Sequence, residues 1–135
     1  MGKIDDWRWR CRVGTVLLYI PAGVLHIAVP GPFLLITPSW VPTPGRIIFI
    51  TGICELCGAV GLWIPRWQRA AALALALYAV CVHPTNIKHA TDDLLGSGSN
   101  AWLWTYHLLR LALQPVIAWM PLFGSRLLTW PFRVS

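Results

Sequence analysis

Residues 46–64 read R-I-I-F-I-T-G-I-C-E-L-C-G-A-V-G-L-W-I, an apolar run whose only interior charge is Glu55. Residues 101–119 read A-W-L-W-T-Y-H-L-L-R-L-A-L-Q-P-V-I-A-W, with Arg110 as the only charge. A bilayer core of about 30 Å is crossed by about 20 helical residues, and both runs are close to that length. Charges inside such runs are costly and therefore informative. Glu55 and Arg110 each lie nine residues into their run, about 13 Å below the boundary at a 1.5 Å rise. The two spans run in the same direction, so opposite charges arrive at one depth, where either alone would have to neutralise or draw in water. The reading predicts a Glu55–Arg110 ion pair in the interior of a helical bundle.

Two further runs complete the set. Residues 13–29 carry no charge and contain Pro21, which predicts a kink that neighbouring helices can re-satisfy. Residues 68–89 open on A-A-A-L-A-L-A-L, whose small side chains let backbones approach closely. An open sheet would leave unpaired backbone groups in lipid, so the expected fold is all-α, a transmembrane four-helix bundle running up-down-up-down. Its limits are an N-terminal segment 1–12, a four-span domain 13–121 (spans 13–29, 46–64, 68–89 and 101–119) and an interfacial tail 122–135. The 135-residue chain is 56% hydrophobic and 12% charged, about half the charge of an ordinary soluble domain. Disorder is excluded by that composition. Nucleic-acid binding is not expected despite the net charge of +6, because the basic residues cap apolar runs and form no stripe.

The basic residues give direction. Lys3, Arg8, Arg10, Arg12, Arg66, Arg69, Arg126 and Arg133 fall on one side, against Arg46 and Lys88 on the other. Both termini are thus expected on the cytoplasmic or matrix side of a bacterial or organellar inner membrane. The tryptophans at 7, 9, 40, 63, 67, 102, 104, 119 and 130 lie near span ends, as interfacial anchors do. No cleavable leader is expected: Asp5 and Asp6 interrupt the basic segment, and no small-residue cleavage site follows the first run. The first loop, residues 30–45, is apolar and rich in proline, and should fold back as a short helix or lid over the outer mouth. Residues 91–100, T-D-D-L-L-G-S-G-S-N, read as a flexible polar loop.

Polar groups gather at the depth of the charges or just above it. His26 stands near the end of span one. Thr51 and Glu55 share a face of span two, and His83 and Asn86 share one of span three. His107, Arg110 and Gln114 follow an i, i+3, i+7 stripe in span four. The expected ligand pocket is therefore His26, Glu55, His83, Asn86, His107, Arg110 and Gln114. No H-x-x-x-H or H-x-x-E spacing pairs two ligands, so no metal centre is expected. Cys54 and Cys57 spell C-x-x-C, but reactive versions sit at helix N-termini. Mid-span, they read as buried inert thiols.

The stretches A-G-V-L-H (22–26), F-L-L-I-T-P-S-W-V-P-T-P (33–44), T-G-I-C-E-L-C-G-A-V-G-L (51–62), R-A-A-A-L (69–73), H-P-T-N-I-K-H-A (83–90) and L-R-L-A-L-Q-P (109–115) resemble, in order, the DoxX family of small four-helix membrane proteins. The resemblance spans about residues 13–120. It implies polar positions at His26, Glu55, Asn86, Arg110 and Gln114, with Thr85 a departure from the family's Pro-Ala-Asn-Ile run. Some members resemble the membrane subunit of thiosulfate:quinone oxidoreductases, which implies a quinone-linked redox context. The leading expectation is a membrane subunit of such a system, binding a quinone headgroup, with Trp104 and Tyr106 covering the ring. No intrinsic cofactor is expected, and turnover by the chain alone is not. Partners would be the lipid bilayer and other membrane or redox subunits. The alternative is a non-catalytic accessory or assembly subunit of a larger membrane complex. Solute transport is weaker, because four unbroken spans offer little scope for alternating access.

Overall fold

The computed structural model describes residues 2–132; Arg133, counted above on the basic side, lies outside them. Among these residues there is no strand. Six helices follow one another: α1 (Lys3–Ala28), α2 (Gly31–Ile36), α3 (Pro44–Gly61), α4 (Gln68–Cys81), α5 (His83–Leu95) and α6 (Ala101–Gly124). α1, α3 and the continuous run Gln68–Leu95 are long and apolar enough to cross a membrane. α6 is long enough, at 24 residues or about 36 Å, but its polar stripe lowers its hydropathy.

Several boundaries differ from the sequence reading, each for a local reason. α1 starts ten residues early, because Asp5 and Asp6 fall in its first turn, where carboxylates favour the positive end of the helix dipole. It continues through Pro21. α4 and α5 are separated only at Val82. Pro84 in the first turn of α5 has no N–H to return to the preceding turn. α5 then runs to Leu95, through residues expected in a loop. The i, i+4 pairs Lys88–Asp92 and His89–Asp93 extend it. α6 likewise continues five residues past Trp119, into the expected tail.

Each long helix packs on two others: α1 on α3 and α6, and α4 on α3 and α6. The seams are built from small residues. A methyl at Gly23 would meet the Gly52 carbonyl oxygen at 2.8 Å, and one at Gly52 the Gly23 oxygen at 2.9 Å. Between α3 and α4, a methyl at Gly61 would lie 2.8 Å from Ala71 Cβ. Ala59, Leu62, Ala72 and Leu75 are buried here with Tyr19, forming a dry core toward the basic end. The apolar first loop forms α2, which packs on α3 and α5. Eight of the nine tryptophans are exposed, consistent with an apolar exterior. Cys54, Cys57 and Cys81 are free and exposed on the outer helix faces, and only Cys11 is buried; the thiols at 54 and 57 are therefore not the interior groups expected.

Candidate functional site

At the end of the molecule away from the dry core, two seams carry polar side chains. The first is between α1 and α3. The bare Gly52 lets His26 pack against it, its Cβ 3.0 Å from where a methyl would stand, and the imidazole reaches Glu55 one turn further along α3. His26 Nδ1 lies 2.6 Å from Glu55 Oε2, with Glu55 3% exposed. Phe33 of α2 lies over the imidazole, ring centroids 4.0 Å apart.

The second seam joins α5 to α6, and it is a ladder. On α5, Asn86, His89 and Asp93 follow i, i+3, i+7 spacing; on α6, His107, Arg110 and Gln114 do the same. The helices run in opposite senses, so the rungs pair in reverse order. Asn86 Nδ2 donates to Gln114 Oε1 at 3.1 Å, and Gln114 Nε2 donates to the Ala79 carbonyl at 2.6 Å. Arg110 donates through Nη2 to Asn86 Oδ1 at 2.6 Å and through Nη1 to His89 Nδ1 at 2.8 Å. An arginine has only donors, so His89 Nδ1 accepts and its ring proton sits on Nε2. That atom lies 3.2 Å from Asp93 Oδ2. His107 Nε2 reaches the same oxygen at 2.9 Å.

The expected Glu55–Arg110 ion pair is not formed: Glu55 is held by His26, and Arg110 by Asn86 and His89. Equal depth along two spans does not make them lateral neighbours. α3 and α6 pack on α1 and α4 instead of extensively on each other, which leaves the two charges on opposite walls. Between them lies a cavity of about 290 Å³. Its lining includes His26, Thr51 and Glu55 on one side and Asn86, Arg110 and Gln114 on the other. Tyr19, Tyr78, Phe33 and aliphatic side chains supply the remainder. A second, more open cleft of about 450 Å³ is lined by His89, Asp92, Asp93 and Tyr106, with α2 as its rim. Arg110, Phe33 and Ile36 line both spaces and so form the partition between them.

Five of the seven expected site residues therefore line the cavity, and two do not. His107 is fully buried and turns to Asp93. His83 does not line the cavity, and its Nδ1 is buried without a partner. Trp104 does not line it either, and Tyr106 faces the cleft; the tyrosines and Phe33 are the aromatic lining instead. Sequence reasoning missed His89 and Asp93. The signal available was H-x-x-x-D, a spacing that places both side chains on one helix face, but it is masked by the glycines and serines of residues 96–99, which suggest a loop.

The chain belongs to the family described as Domain of unknown function (DUF8561), whose model matches residues 15–123. No curated protein and no solved structure matches it. The matched segment contains both walls of the cavity and the whole α5–α6 ladder.

Proposed function

We propose that the protein is a multi-pass membrane protein with four spans, α1, α3, α4–α5 and α6, arranged up-down-up-down with both termini on the cytoplasmic or matrix side. Its cavity would lie in the outer half and hold a small molecule with a polar head and an apolar body, a quinone headgroup being the class that fits best. The observation carrying this reading is the pairing of opposed polar walls with an apolar lining, the usual composition of a small-molecule site. The volume, at the low end of ligand pockets, suits a single ring. Arg110 would donate to one carbonyl oxygen of the headgroup. His26, already bonded to Glu55, would face the other and exchange a proton with it. The likeness to DoxX motifs supports a redox context for such a ligand.

The test is a titration of detergent-purified protein with a short-chain quinone, followed by tryptophan fluorescence. Saturable binding weakened about tenfold by Arg110→Ala is expected, in the range of a lost charge-assisted hydrogen bond. Unchanged affinity in that variant would remove Arg110 from the site. A second reading, an accessory subunit, is favoured by Trp40, Trp102 and Trp130, each about three-quarters exposed and available to partner helices. A stoichiometric partner in native purification, with no quinone binding, would select it.

A further inference from the structure

We propose that His89, Asp93 and His107 bind a divalent first-row transition-metal cation between α5 and α6, where His89 and Asp93 line the outer cleft and His107 is buried behind them, and that the bound ion detaches Arg110 from His89. The site stands apart from the cavity, on the other side of the Arg110 partition. One ligand atom from each of the three residues lies within 4.8 Å of the other two. Two imidazole nitrogens converge on a single carboxylate oxygen, the arrangement a cation can enter by taking the place of the bridging protons. Two histidines and one carboxylate form a donor set suited to zinc, iron(II) or manganese(II). His107 is 0% exposed, so its position is fixed by packing, while Asp93 and His89 keep partial access to the cleft. The cleft leaves the remaining coordination positions open to water, with Asp92 and Tyr106 also in its lining.

Without metal, His89 accepts from Arg110 on Nδ1 and carries its proton on Nε2. A metal on Nε2 moves that proton to Nδ1. There it faces a guanidinium that can only donate. The Nη1 contact must then open, while Nη2 can keep Asn86. His107 undergoes the same shift, which places a proton on its Nδ1, a buried atom with no partner. Both features hold affinity down in the metal-free arrangement. Arg110 thus competes with the metal rather than supporting it, the reverse of the usual outer-shell carboxylate or carbonyl that accepts from a metal-bound histidine.

The experiment is a cobalt(II) titration of the full-length, untagged protein in detergent, read by visible d–d absorption and by metal content after gel filtration. One cobalt per chain is expected, with bands lost in Asp93→Asn and in His89→Gln and retained in the neighbouring Asp92→Asn. Arg110→Gln should tighten cobalt binding by about tenfold, the scale of outer-shell effects on metal sites. Wild-type protein binding no more cobalt than Asp93→Asn would overturn the site and leave a purely hydrogen-bonded cluster. Cobalt binding that Arg110→Gln leaves unchanged or weakens would overturn the competition. Neither readout involves quinone, so failure of the cavity reading does not decide this one.

Discussion

The α1–α3 seam and the α5–α6 seam face each other across one cavity, yet they are held by different physics. In the first, two glycines let backbones approach until a single added methyl would strike a carbonyl, and one acid–imidazole pair is clamped by that approach. In the second, long polar side chains keep the helices in register through a run of directional bonds from Gln114 to Asp93. The first wall should therefore be sensitive to volume and the second to polarity. A cavity with one wall set by steric fit and one by hydrogen bonds keeps its shape while leaving Arg110, between two spaces, the group freest to change partners.

The largest effect is expected at the clamped pair. Glu55→Ala leaves the largely buried His26 without its partner and should cost about 3 kcal/mol or more, read as a lower melting midpoint in micelles by tryptophan fluorescence. Gly52→Val should cost about 1–3 kcal/mol through overpacking, whereas Gly45→Val, with open space around it, should not; equal losses would break the steric account of this seam. Gln114→Ala removes one rung and should cost about 1 kcal/mol. The smallest change is expected for Cys54→Ser with Cys57→Ser, within about 0.5 kcal/mol, because both thiols face outward. A larger loss there would place them in a contact that the bundle alone does not show.

The sequence made the helical runs, the folded-back apolar loop and five of the cavity residues legible, because hydropathy and 3.6-residue spacing are local signals. It did not reveal who bonds to whom. Depth along a helix follows from counting residues, but lateral neighbourhood depends on which helices pack together, and Gly23 and Gly52 decide that only in three dimensions. Asp93 was hidden by its context: glycine and serine nearby suggest a loop, while the i, i+4 pairs that keep the segment helical depend on charges in the preceding turn. His107 could be placed on the polar stripe of α6, yet its fully buried position against Asp93 follows only from the antiparallel meeting of two stripes.

A double-mutant cycle between Glu55 and Arg110 tests most directly whether two separate walls serve one ligand. Glu55→Gln, Arg110→Gln and the double variant would be compared for melting stability and for quinone affinity. The stability losses should add within about 0.5 kcal/mol, as for residues sharing no partner, while the affinity losses should not add, because the proposed headgroup would meet Arg110 on one wall and, on the other, His26, which Glu55 positions. Strong coupling in stability would restore a direct ion pair, and independent or absent effects on affinity would contradict a shared site.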